Sequence, residues 1–146
     1  MFETTQVEDL LQVKKERLRW WVKDKYLTPT EIGKQGRSHQ WSVEDVYRAY
    51  LFKLLMQGSI TRRTAEKIVS GVNWKLVSKK RPFLIAELEL NEYCCPRWPE
   101  KVTLTQTAFI DGIELTNNFL NQTNDTIYMC LEINTFVEFI NMELQR

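Results

Sequence analysis

The sequence predicts an α+β protein in which an all-helical N-terminal part precedes a small mixed β-sheet and a C-terminal helix. Apolar residues recur every three or four positions up to about residue 70, which is the period of a helix, and alternate with polar ones from residue 84 onward, as in half-buried strands. The charge changes as well: residues 1–81 carry 17 Lys or Arg against 9 Asp or Glu, a net +8, whereas residues 82–146 carry 3 against 10, a net −7. We therefore expect two domains, residues 1–72 and residues 82–146. The basic one is suited to a polyanion, although an unevenly charged surface without such a partner is the alternative interpretation.

Composition places the chain among ordinary globular proteins, with 43% hydrophobic and 27% charged residues. The longest apolar run, Ile127 to Leu131, is far shorter than the roughly 20 residues that span a bilayer. The N-terminus is acidic where a signal peptide would be basic and then apolar. Three cysteines, two of them adjacent, make a poor disulfide framework, which is typical of a reducing compartment. From these three observations we expect a cytoplasmic protein with no membrane partner.

The first half is predicted to form four helices around one hairpin. Apolar spacing places the helices at residues 5–12, 14–25, 42–58 and 61–70. Thr5 with Glu8 is expected to form a capping box for the first helix, and Ser42 with Asp45 to open the third. Between them, residues 28–41 contain Pro and Gly together with basic residues, which predicts a basic hairpin loop.

The second helix has two different faces. Its apolar positions, expected to face the core, are Leu18, Trp21 and Val22. Its basic positions, four residues apart on another face, are Lys15, Arg19 and Lys23. Such a row is typical of a solvated helix face, and it is also what a nucleic-acid-binding helix presents.

In the second half, strands are predicted at residues 84–90, 102–110 and 127–133. Asp111-Gly112 suits a type I′ turn, so Ile113 to Leu115 is expected to return as a strand. Thr135 with Glu138 three residues later predicts the start of a C-terminal helix that runs to Gln145. Phe136, Phe139 and Ile140 on this helix are candidates for either a dimer interface or the closing of a monomer core.

Two helices, a basic hairpin and two further helices describe a winged helix-turn-helix, and the residues themselves resemble the DNA-binding domain of the MerR family. The resemblance covers about residues 4–70. Three segments carry it in order, namely LRWWVKDKYLTP from Leu18, GRSHQWSVEDV from Gly36 and LLMQGSIT from Leu54. The chain departs from the family at residues 12–14, where the family has a Gly-containing turn and a Ser or Thr cap. It also lacks the family's long dimerising helix after residue 70.

The resemblance implies double-stranded DNA binding as a homodimeric transcriptional regulator. The DNA-binding residues that it implies are Lys14, Lys15, Arg17, Arg19, Trp20, Lys23, Lys34, Arg37 and His39. RNA polymerase or another protein is a further expected partner. Two alternatives stay open: a phage-type architectural or packaging protein, similar to an excisionase or a small terminase subunit, and a protein-interaction adaptor that has lost DNA binding. Trp21 is expected to pack in the core, and packing is the alternative to DNA contact for Trp20.

The residues favour neither an enzyme nor a metal site. The chain has one His, no Gly-rich phosphate loop and no clustered acids, so a nucleophile with its base is not indicated. Cys94, Cys95 and Cys130 lack the two-residue gap that lets neighbouring thiolates share a zinc ion. We therefore expect no cofactor, and cysteines that are inert.

Overall fold

A computed structural model describes residues 1–58, 60–90, 102–120 and 126–146. The protein has the α+β fold class and divides into two compact units, Met1–Val69 and Ser70–Arg146. The helices are α1 (Thr4–Leu11), α2 (Lys15–Lys23), α3 (Val43–Gln57), α4 (Arg62–Gly71), α5 (Gly112–Leu120) and α6 (Asn134–Gln145). The strands are β1 (Phe2–Glu3), β2 (Gln40–Trp41), β3 (Phe83–Leu90), β4 (Val102–Ile110) and β5 (Thr126–Glu132), and a short 3-10 helix spans Trp74–Leu76.

The core of the first unit is built around α3, which is buried on most of its sides. Phe52 lies at its centre, with the Trp21 ring packed edge-on at 5.0 Å between centroids and the Tyr26 ring stacked at 5.7 Å. These contacts join α2 to α3 through aromatic surface. The buried apolar residues of α3 are Val46, Tyr47, Ala49, Leu51, Phe52 and Leu55, whereas Val43, Tyr50 and Leu54 are half-buried.

The helix starts of this unit follow local capping rules, with one correction. Ser42 and Asp45 form the predicted capping box of α3, in which the Asp45 backbone N–H donates to Ser42 Oγ at 3.2 Å. The Thr5–Glu8 box is wrong. Strand β1 brings Glu3 to the N-cap, and the Glu3 backbone N–H donates to Gln6 Oε1 at 2.8 Å.

A three-residue turn, residues 12–14, separates α1 from α2. Gln12 closes α1 in the left-handed region with φ 51°, and the buried Val13 fixes the turn on the core. Lys53 Nζ donates to the Leu11 carbonyl at 2.6 Å, which satisfies a C-terminal carbonyl of α1 from the side of α3. The turn and this bond together orient α2 against α1 and α3.

The second unit contains a three-stranded sheet in the order β4-β3-β5, and both strand pairs are antiparallel. The expectation of a mixed sheet is therefore wrong. Because β4 and β5 lie on opposite sides of β3, the chain crosses from one to the other through α5. Leu84, Ile85 and Ala86 are all buried, so both faces of the sheet are covered here and the predicted alternation does not hold.

Two predicted features are wrong, namely the type I′ turn at Asp111-Gly112 and the capping of α6 by Thr135. Asp111 caps a helix instead of a hairpin, since the Glu114 backbone N–H donates to Asp111 Oδ1 at 2.8 Å and Glu114 Oε2 accepts from the Asp111 backbone at 3.2 Å. The segment Ile113 to Leu115 is therefore helical. Helix α6 begins at Asn134, so Thr135 lies inside its first turn and is not its cap.

Of the three apolar side chains predicted as interface candidates on α6, Ile140 belongs to the core of its own unit. Ile140 is fully buried, Phe136 is half-buried and Phe139 is 39% exposed. The two rings of Phe136 and Phe139 lie 6.4 Å apart between centroids. The exposed apolar side chains of α6 are therefore Phe139 together with Met142 and Leu144.

Candidate nucleic-acid interface

Helix α2 presents a row of cations to solvent. Lys15, Arg19 and Lys23 are exposed, whereas Leu18 and Trp21 on the opposite side are buried. In the part of the chain that the structure describes, none of the three cations forms an ion pair with a carboxylate. Their charge is therefore available to an external anion. Val22, expected in the core, is half-buried.

Lys14 and Arg17 are two other predicted DNA-binding residues at this helix. Lys14 is exposed at the N-cap and makes no capping hydrogen bond with its side chain. The Arg17 guanidinium lies 5.9 Å from the centroid of the buried Trp21 ring, which it partly covers. Arg17 therefore contributes to packing as well as to the charge of the surface.

Trp20 and Trp21 differ in exposure, since Trp20 is 42% exposed and Trp21 is 3% exposed. The Arg62 guanidinium, from the first turn of α4, lies 4.1 Å from the centroid of the Trp20 ring. This cation–π contact adds a cation to the surface of α2 that sequence reasoning missed. Nothing in the local pattern around residue 62 connects it to residue 20, so only the tertiary structure identifies it.

The basic hairpin is held by main-chain pairing at its base and by a tight turn at its tip. Glu31 and Gln40 exchange two backbone hydrogen bonds, of 3.0 and 2.9 Å, and β2 also pairs with β1. At the tip the Arg37 N–H donates to the Lys34 carbonyl at 3.1 Å, and both central residues, Gln35 and Gly36, have positive φ. This is the geometry of a type I′ turn. It places the exposed Lys34 and Arg37 at the two ends of the turn.

Between base and tip the two arms of the hairpin approach closely at Gly33. A Cβ at this position would lie 2.1 Å from the Arg37 carbonyl oxygen, so the backbone requires glycine here. The Gly33 N–H donates to His39 Nδ1 at 3.0 Å. An imidazole that accepts at Nδ1 carries its proton on Nε2 when neutral, which gives His39 one remaining donor.

Asp45 anchors the N-terminal arm of the hairpin to α3. This carboxylate is 5% exposed, and its Oδ2 accepts from the Thr30 N–H at 2.9 Å, the Thr30 hydroxyl at 2.6 Å and the Ser42 N–H at 2.9 Å. Its Oδ1 accepts from Arg48 at 3.3 Å. The sequence marks Asp45 only as a capping residue, and the contact with Thr30, fifteen positions earlier, has no local signal.

The C-terminal arm is anchored to the start of α1. The Thr4 backbone N–H donates to Ser38 Oγ at 3.1 Å, and the buried Trp41 Nε1 donates to Thr4 Oγ1 at 3.3 Å. Trp41 itself is fully buried. Both arms are therefore tied to helices of the same unit, and the hairpin is fixed relative to α2.

The result is a cavity of about 230 Å³ between α2 and the hairpin. It is lined by Lys15 and Arg19 from α2, by Gly36, Arg37, Ser38 and His39 from the hairpin, and by Glu3, Thr4 and Thr5 at the start of α1. Four of the nine predicted DNA-binding residues thus meet at one place. Lys34 lines a second cavity, of about 850 Å³, together with Arg37. Lys14, Arg17, Trp20 and Lys23 line neither cavity.

The described residues contain no cluster of three or more His, Cys, Asp or Glu side chains that could hold a metal ion. Cys130 is half-buried on β5, and this burial raises the pKa of its thiol above the usual range. Cys94 and Cys95 lie outside the described residues. No helix in the described part of the chain is long and apolar enough to cross a membrane.

No protein-family model matches this sequence, and a comparison with curated proteins finds no match.

Proposed function

We propose that this chain binds double-stranded DNA through the exposed face of α2 and the basic hairpin, as a MerR-like winged helix-turn-helix that regulates transcription. The observation that carries the proposal is the meeting of Lys15 and Arg19 from α2 with Arg37 and His39 from the hairpin around one cavity. Two elements separated in sequence bring three cations and a histidine to one surface, and within the described residues none of the three cations pairs with a carboxylate. A polyanion is the partner that such a surface favours.

The dimensions of α2 suit the major groove of DNA, because a helix with its side chains is about 10–12 Å across and the B-form major groove is about 12 Å wide. Lys15 and Lys23 are eight residues apart, so the row of cations extends about 12 Å along the helix axis. Lys or Arg side chains reach base edges from the groove. Arg19, midway along the row, is the side chain best placed for a base contact, because it also faces the hairpin.

The hairpin contributes contacts to the DNA backbone. Arg37 supplies a planar guanidinium that matches a phosphate group, and His39 supplies an N–H donor. A phosphate held between these two and Lys15 would fix the register of α2 in the groove. Glu3 also lines this cavity, so one carboxylate opposes the anion there and cations outnumber it.

The experiment compares Arg19→Ala with Lys67→Ala, since Lys67 is exposed on α4 and lines neither cavity. The duplex is selected from a random pool with the intact protein. Loss of one good base contact costs about 1–3 kcal/mol, which corresponds to roughly 5- to 150-fold in Kd. We expect Arg19→Ala to bind that much more weakly with an unchanged melting temperature, and Lys67→Ala to match the parent protein.

An unchanged affinity with a lower melting temperature would assign Arg19 to the structure and contradict the groove assignment. Absence of duplex binding by the intact protein at low salt would contradict the whole proposal and favour the protein-interaction adaptor. A footprint over a promoter agrees with a regulator, whereas a bend at an attachment or packaging site agrees with the architectural alternative.

A further inference from the structure

A second basic surface lies in the unit Ser70–Arg146, outside the interface described above. It consists of Lys75, Lys79, Lys80 and Arg81, which we call the basic turn. All four side chains are exposed, and Lys79 is 84% exposed. None of these residues was predicted as a DNA contact.

The backbone of the basic turn is well fixed. The Arg81 N–H donates to the Ser78 carbonyl at 3.0 Å and lies 3.2 Å from Ser78 Oγ, so Lys79 and Lys80 occupy the two central positions of a tight turn. The next residue, Pro82, accepts a hydrogen bond at 3.1 Å from the backbone N–H of the fully buried Ile133. The like charges are therefore held side by side on an ordered backbone that is attached to the core of the unit.

Charge is strongly segregated within this unit. Residues 70–81 contain four Lys or Arg and no Asp or Glu, whereas residues 82–146 contain three against ten. Glu138 Oε1 lies 3.4 Å from Lys79 Nζ, but Glu138 is half-buried and Lys79 is 84% exposed, so solvent screens the pair from the side of the lysine and it contributes little. The remaining positive charge of the turn is unneutralised by its described neighbours. A polyanion would be attracted at this one stretch and repelled by the acidic remainder.

We propose that the basic turn binds phosphate groups of the same DNA duplex, so that the second unit adds to the affinity without reading sequence. This inference rests on the proposed function of α2 and the hairpin. Lysines are flexible point charges that suit phosphates, and contacts to phosphate carry no sequence information. Each neutralised phosphate also adds about −0.9 to the slope of log K against log salt concentration.

The test uses the full chain and compares Lys79→Gln/Lys80→Gln with Lys67→Gln/Arg146→Gln, which removes the same charge from exposed positions elsewhere. Duplex affinity is measured across a salt series, for the selected duplex and for a scrambled one. We expect the turn variant to lower the magnitude of the salt slope by about 1.8 relative to the control. The ratio of selected to scrambled affinity should stay the same.

A turn variant with the affinity and salt slope of the control would overturn the inference and leave an acidic protein as the partner for this surface. A change in the ratio of selected to scrambled affinity would overturn the claim that the contact is with phosphates alone. The proposed function is tested separately by Arg19→Ala. If Arg19→Ala weakens duplex binding and the turn variant does not, only the proposed phosphate contact of the basic turn is contradicted.

Discussion

Replacing Asp45 by Ala is expected to destabilise the unit Met1–Val69 by about 2–4 kcal/mol, because its buried carboxylate accepts two backbone hydrogen bonds and a hydrogen bond to a charged group contributes about 1.5–3 kcal/mol. Ala leaves the backbone N–H groups of Thr30 and Ser42 without this acceptor, and water offsets part of the loss because Thr30 is exposed. It also frees Arg48 from its buried partner.

A neighbouring carboxylate provides the matched control. Glu44 lies in the same first turn of α3 and also pairs with Arg48, but its side chain is 44% exposed. Exposed pairs of this kind contribute up to about 0.5 kcal/mol, so Glu44→Gln should leave stability nearly unchanged. Asp45→Asn keeps an acceptor for Thr30 and loses the charge, so it should fall between the two.

Chemical denaturation of the three variants measures the difference, and duplex binding is measured on the same samples below their transitions. Because Asp45 holds Thr30 at the base of the hairpin, we expect Asp45→Ala to weaken duplex binding as well. Equal stability of Asp45→Ala and Glu44→Gln would contradict this prediction, since it would mean that the hydrogen bonds to the buried Asp45 carboxylate contribute nothing.

Three further predictions address other parts of the molecule. Gly33→Ala should weaken duplex binding more than it lowers stability, because the new Cβ would lie 2.1 Å from the Arg37 carbonyl oxygen and would displace the tip of the hairpin. A fluorescence anisotropy titration measures the binding, and a melting curve measures the stability. Light scattering should show a homodimer with the parent chain and a monomer with Phe139→Asp, because that exposed ring is the interface candidate on α6; a monomeric parent with and without DNA would contradict it. In a Cys94→Ser/Cys95→Ser background, Cys130 should be alkylated more slowly in the native than in the unfolded protein at pH 8, because its raised pKa keeps the thiol protonated until higher pH.

Local signals account for what the sequence predicted well. The two faces of α2 follow from residue spacing alone, and the Ser42–Asp45 box and the hairpin turn follow from residues that favour those geometries. Side chains at helical spacing share a face whatever the surrounding fold. The exposed cations of α2 were therefore identifiable without a structure.

Long-range contacts and competing local signals account for the rest. Asp111-Gly112 suits a type I′ turn, but Asp111 with Glu114 is equally a helix start, and here the helix forms. The pairing of Glu3 with β2 decides where α1 begins. The contact of Arg62 with Trp20 depends on how α4 packs against α2, which the spacing of apolar residues in the sequence does not predict.

DNA binding by α2 and the hairpin is tested most directly by amide chemical-shift mapping of the intact protein with a short duplex at low salt. We expect the largest changes in α2 and in residues 33–39 of the hairpin, with smaller ones in the basic turn, and we expect all of them to diminish as salt is added. Changes that leave α2 and the hairpin unaffected, or binding that is insensitive to salt, would contradict DNA binding by this surface.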